Sequence, residues 1–314
     1  MSQPAHGEAR TTPRAGSSHE SDPGPAPRVT VIIPTYDCVS LIPAAIASVQ
    51  AQTWPDTRII VVDDGSADDT AAVLAPRAAR GELTLLRVPH GGPAAARNAG
   101  IRATADELIA FLDADDTLEP DALRVTAAAL LAAPAAGFCI TDVARVYPDH
   151  TEVRNGRPPE GDAFLAILRG NFVQRGVLFR RQALLEAGLF DESLRILEDW
   201  ELYIRLLGRG LRPVYVEGAW YRYVMRGDGL TRDLAEIAKS KRQVLSKHHQ
   251  RLADEGVPGL RAIYADQMWW LGRMYFDQLR RRREGLRCFL EGLRYNPDPR
   301  RILRAVGARL RRTS

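Results

Sequence analysis

Cysteine is scarce: the 314 residues hold three, Cys38, Cys139 and Cys288, far apart and odd in number. They form neither a disulfide framework nor a zinc-type pair, and a reducing compartment is the expectation. Long apolar runs are missing too; none approaches the roughly 18–20 residues that a membrane-spanning helix needs. Residues 1–27 lack the apolar core of a signal peptide and are rich in Pro, Gly, Ser and charge, which reads as a disordered tail. Together these absences predict a cytoplasmic protein, with peripheral attachment to the inner face of the plasma membrane left open. No G-x-G-x-x-G turn follows any apolar run, which disfavours a dehydrogenase. A large charge imbalance is absent as well, the formal net charge being +4.

The distribution of that charge says more. From Arg273 to the end, thirteen arginines face Asp277, Glu284, Glu291 and Asp298. This cationic C-terminus fits an anionic membrane surface, and it fits a solvated helix face equally well. Nucleic acid is not an expected partner, because no DNA- or RNA-binding motif accompanies the charge. The hydrophobic content of 45% is ample for a packed core.

The folded part opens at VTVIIP (29–34), a continuous β-branched run of the kind buried on both faces of a sheet. A helical stripe of Leu41, Ala45, Ile46 and Val49 follows, then strand RIIVV (58–62), a helix over 70–79 and strand LTLLRV (83–88). Pro93 suits a first helical position, and AAARNAGIRAT continues that helix to a fourth strand, ELIAFL (107–112). Further on, a helix near 120–133 precedes a strand over 137–147, and 151–162 is a polar connection. Residues 171–181 lead into a short helix ending at Gly188; a helix over 200–210 and a strand region over 211–224 complete the series. The alternation predicts an α/β domain with a doubly wound, mainly parallel sheet over 28–231. Residues 232–314 read as a helical, Arg-rich appendage, with amphipathic helices over 233–254 and 260–295. Trp269 and Trp270 are expected to pack it, His248 and His249 to lie on its surface, and its aromatic face offers a homodimer contact.

In such sheets ligands collect beyond the carboxyl ends of the strands. Asp37, the Asp63–Ser66 turn, the His90–Pro93 loop and Asp113–Asp116 all fall there. Aspartate in each place also has a plain use, capping helices and tightening turns. Several carboxylates at one sheet edge repel one another unless a positive group sits among them. A divalent cation on a phosphate is the simplest such group, and hard oxygen ligands suit magnesium or manganese.

VTVIIPTYD, VVDDGSADDT, GGPAAARNAG, FLDADD and LEDWELYIRL, in this order and spacing, resemble family 2 of the inverting glycosyltransferases. The resemblance covers about 29–225 and implies the GT-A fold, a Rossmann-like sheet, and a metal-dependent hexosyltransferase using a nucleotide-sugar donor. It implies that Pro34 and Tyr36 of PTYD, Asp64, Arg97 and Asp113 line the nucleotide site, with Tyr36 stacking on the base and Asp64 accepting from it. Asp115 would touch an Mn2+ or Mg2+ ion, and Asp199 would be the general base. Asp63, Asn98, Asp116 and Glu198 would support them. The donor is expected to be a UDP-sugar, with a dTDP-sugar as the alternative, and the acceptor a cell-surface or lipid-linked glycan. The Gln-x-x-Arg-Trp sequence of processive synthases is missing, so one or a few sugars are expected per acceptor. Gln174-Arg175 does not replace it, preceding Asp199 and lacking the Trp. A nucleotidyltransferase would want a glycine-rich basic loop after the first strand, where this chain has Pro34-Thr35-Tyr36-Asp37. A degenerate scaffold or regulatory relative would have lost a key carboxylate, yet Asp64, Asp113, Asp115 and Asp199 are all present.

Overall fold

A computed structural model describes residues 26–226, 233–254 and 256–297 of the chain. Most of the predicted N-terminal tail, the 227–232 part of the last loop and the arginines from 300 onward lie outside the described residues.

Among the described residues, a nine-stranded mixed sheet organises the fold. Strands β1 (Val29–Thr35), β2 (Thr57–Asp63), β3 (Thr84–Arg87) and β4 (Leu108–Phe111) are parallel, in the order β3-β2-β1-β4. β8 (Leu178–Arg180) runs antiparallel between β4 and β6 (Ala136–Val146), and β9 (Arg212–Val224) then pairs parallel to β6. β5 (Thr117–Leu118) closes one edge on β9, and β7 (Thr151–Arg154) pairs with β6.

Alternation along each strand sends side chains to two cores. Val31, Ile33, Ile59 and Val61 join Ile42, Ile46, Leu74, Leu123 and Leu130 from α1 (Ile42–Gln50), α2 (Thr70–Ala79) and α4 (Ala122–Leu131) on one face. Ile32, Ile60 and Val62 join the other face, covered by α3 (Pro93–Arg102), α5 (Ala163–Arg169), α6 (Arg181–Ala187) and α7 (Glu198–Gly208). There α3 lies so close to β1 that a Cβ on Gly100 would meet Ile32 Cγ2 at 2.5 Å. That glycine is a packing requirement of the sheet–helix contact.

The C-terminal helices α8 (Leu234–Asp254), α9 (Leu260–Arg273) and α10 (Arg282–Tyr295) extend this second core. Val244, Leu252, Ile263, Met268 and Cys288 belong to the same buried cluster as Trp200 and Ile167. The expected single helix over 260–295 is broken by a π-helical turn, Met274–Gln278, and by Arg280 with φ +56°. His248 is buried rather than on the surface, because its Nε2 lies 2.9 Å from the wholly buried Glu201 carboxylate of α7. His249 is half-buried between the rings of Tyr264 and Tyr295. Trp269 is buried as expected, whereas Trp270 is 37% exposed and lies against Lys241, 4.2 Å from the amine.

Candidate active site

The cleft forms where β1, β2 and β4 end together. Pro34 and Thr35 close β1 in register with Val62 and Asp63, the end of β2. The two turns that follow are stitched to each other. Asp37, at φ +49°, accepts from the Ala67 amide at 2.7 Å, while its own N–H donates to Ser66 Oγ at 3.0 Å. Asp63 is fully buried and accepts from the Ser66 amide at 2.9 Å, with Arg87 Nε 3.3 Å away; its work is to hold the turn. Asp64 points the other way. Its two oxygens accept from the Gly91 and Gly92 amides, each at 2.8 Å, so β2 holds the loop that opens α3. The Tyr36 ring, 45% exposed, sits 4.4 Å from that of His90, whose Nδ1 is 3.0 Å from Asp64. A flat aromatic surface and a carboxylate thus share one wall of the cleft.

After β4 the aspartates of Asp113-Ala114-Asp115-Asp116 divide by direction. Asp116 turns inward: buried, it accepts from Tyr221 Oη at 2.7 Å and the Val224 amide at 2.9 Å. Burial pushes its carboxyl up to about 7 against those hydrogen bonds. Asp113 and Asp115 face the cleft mouth, with side chains 21% and 35% exposed. Arg226 Nε approaches Asp115 to 3.9 Å.

Arg97, on the second turn of α3, joins this loop to the start of α7. One guanidinium nitrogen donates to Asp113 Oδ1 at 2.8 Å and the other to Glu198 Oε1 at 2.5 Å. Burial raises the Glu198 carboxyl, and the Arg97 charge opposes that rise. Asp199, half-buried beside it in the first turn of α7, accepts from the Trp200 amide at 2.7 Å and from Asn171 Nδ2 at 3.3 Å. Asn98 faces away from this cluster. Its amide exchanges hydrogen bonds with the Phe190 backbone, at 2.9 and 3.0 Å, and packs the floor beneath Arg97.

Two participants carried no sequence motif. Arg175 forms a second ion pair with Asp113 and lies over the Tyr223 ring, 4.4 Å from its centroid. Asn171, from the same loop before β8, reaches Asp199. Nothing in local pattern marks either residue; only the folded loop carries them to the cleft.

Among the described residues no group of three or more His, Cys, Asp or Glu side chains converges as a complete metal cage. The residues present suit a different arrangement. Asp115 offers a hard carboxylate oxygen at the cleft mouth, and magnesium or manganese commonly takes one or two carboxylates and completes its shell with substrate phosphates.

Comparison with known proteins identifies the family and the fold. The model of glycosyl transferase family 2 matches residues 30–187. The succinoglycan biosynthesis protein ExoU of Rhizobium meliloti (strain 1021) is 33% identical over 245 residues, 69% of this chain and 69% of that protein. Among solved structures, S. aureus TarS 1-349 in complex with UDP-GlcNAc aligns with a TM-score of 0.57 at 19% identity, over 83% of this chain and 89% of that one. A mannosyltransferase from Pyrobaculum calidifontis, in complex with GDP-Man and Mn2+, aligns with a TM-score of 0.56 at 21% identity, over 92% and 81%. At those identities the structural likeness speaks for the fold alone. With a mainly parallel sheet whose strand ends gather Tyr36, Asp64, Asp113 and Asp199, and with the family match over half its length, the chain belongs to glycosyl transferase family 2 and has the GT-A fold.

Proposed function

We propose that this chain is an inverting glycosyltransferase that moves a sugar from a UDP-sugar to a hydroxyl of a cell-surface or lipid-linked glycan. What supports the reading is Arg97, which pairs with both Asp113 and Glu198, the neighbour of Asp199, so that the proposed base and DXD-type turn would serve one cleft. Tyr36 would stack on the uracil and Asp64 accept from its edge, while Asp113 would meet the ribose or the donor sugar. Asp115 would hold magnesium or manganese together with the donor's phosphates, supplying positive charge against the departing diphosphate.

The chain's own residues do the rest. Asp199 takes the proton of the acceptor hydroxyl as its oxygen bonds to the anomeric carbon. The bond from that carbon to the diphosphate breaks on the opposite face, and the electron pair leaves with the nucleotide. One carboxylate suffices for such a displacement, and the configuration inverts. Arg97 and Arg175 hold Asp113 in place between two guanidinium groups. The UDP reading follows the TarS complex with UDP-GlcNAc, and the glycan acceptor follows the relative concerned with succinoglycan biosynthesis.

Calorimetric titration with UDP and dTDP, each with manganese and then with EDTA, tests the donor site. The expected result is binding of UDP that weakens by about tenfold or more in EDTA. Failure of both nucleotides to bind would overturn the UDP- or dTDP-sugar reading.

A further inference from the structure

The outward face of α10 combines exposed leucines with a row of arginines. Leu286 and Leu290, one turn apart, are each 54% exposed. At about 100° per residue, Arg283, Arg287 and Arg294 flank this pair on one side and Arg282 on the other, all exposed. The two acids of the helix lie off this face. Glu291 turns inward to Arg242 and Tyr264, each at 2.9 Å, and Glu284 projects on the far side of the arginines.

The orientation of α10 is fixed by its other side. Gly285, Cys288 and Gly292 are buried there. A Cβ on Gly285 would stand 2.9 Å from the Gly272 carbonyl oxygen, and one on Gly272 would stand 2.4 Å from the Phe289 ring. A helix seated so closely on α9 cannot rotate its leucines inward. The sequence beyond α10 continues the charge, with six arginines and the single acid Asp298 between 298 and 314.

We infer that this face of α10 docks on an anionic lipid bilayer, with Leu286 and Leu290 entering the headgroup boundary and the arginines meeting lipid phosphates. An apolar strip edged by cations is the arrangement by which interfacial helices hold to membranes. A second copy of the chain suits the face poorly. A two-fold contact would set the arginine rows of both copies against each other, with no acid on the face to offset them. The inference goes beyond the transfer reaction, and rests on it only in giving docking a purpose, access to a lipid-linked acceptor.

The test uses the full chain and vesicle sedimentation, with vesicles of phosphatidylcholine alone and of equal parts phosphatidylcholine and phosphatidylglycerol. Sedimentation with the anionic vesicles alone is expected, falling by at least about tenfold in Leu286→Gln/Leu290→Gln and in Arg283→Gln/Arg287→Gln/Arg294→Gln. Both variants should keep the thermal unfolding midpoint and the nucleotide binding of the parent chain, so a lost donor site and a lost docking face give different results. Absence of vesicle binding, binding indifferent to lipid charge, or full binding by either variant would overturn the inference. So would a dimer in lipid-free solution that the leucine variant dissociates.

Discussion

At the scale of single residues, the site depends on how charges are paired. Arg97 spans Asp113 and Glu198, and Arg175 adds a second cation to Asp113. Removing Arg175 leaves Asp113 one partner and strips the cation from the Tyr223 ring. Arg175→Gln should therefore raise KM for the donor by about five- to tenfold with a smaller change in kcat, the pattern of lost ground-state binding in steady-state kinetics. The positions of the acidic turns were legible at this scale, because those turns follow β1, β2 and β4. Their directions were not. Three acids within four residues, Asp113, Asp115 and Asp116, read as one cluster until Tyr221 and the Val224 amide draw Asp116 inward. Asn98 likewise sits in a donor-side motif yet spends its amide on Phe190, and Arg175 has no motif at all.

At the scale of elements, α7 joins the catalytic end to the C-terminal helices. Its Glu201 is wholly buried and accepts from Arg205, from His248 at 2.9 Å and from Lys247 at 2.9 Å, while Arg205 also donates to the carbonyls of Ala187 and Leu189. Burial opposes this charge, but the hydrogen bonds from His248 and Arg205 outweigh it and hold the carboxyl at about 2. A folded value below the unfolded one, near 4.3, means stability that is complete above about pH 5. It is lost as pH falls towards 2. Glu201→Gln leaves buried cations without their anion and should cost about 3–5 kcal/mol at neutral pH. Denaturant unfolding from pH 7 to pH 3 should show the gap between variant and parent narrowing as the pH drops. The main strands and α7 were legible from apolar period, whereas β5, β7 and α5 were not. β7 is four residues, three of them polar, with no buried side chain, and β5 is two residues defined by its pairing with β9. The break between α9 and α10 has no glycine or proline to announce it, and Arg280 takes the strained turn.

At the scale of the whole molecule, the order of motifs along the chain foretold the α/β sheet, since β1, β2 and β4 each lead into an acidic turn. The antiparallel β8 between β4 and β6 was not foreseen, nor was the depth to which the C-terminal helices enter the core. An amphipathic pattern shows that a helix has an apolar face but not what covers it. Here Leu252, Ile263 and Met268 share a cluster with Trp200, and Gln267 donates to the carbonyls of Leu168 and Arg169. A chain ending at residue 231 would expose that cluster, and it should be recovered insoluble or unfold at least about 10 °C lower by calorimetry. The same packing holds α7, and with it Asp199, against the sheet edge where the proposed donor site lies. The account's central claim is therefore tested most directly by Asp199→Asn, comparing UDP binding with turnover of a panel of UDP-sugars measured as released UDP. The prediction is UDP affinity within about twofold of the parent chain and turnover lower by about 10²–10⁴. Near-normal turnover in the variant would contradict the assignment of Asp199 as the base, and with it the mechanism proposed for this cleft.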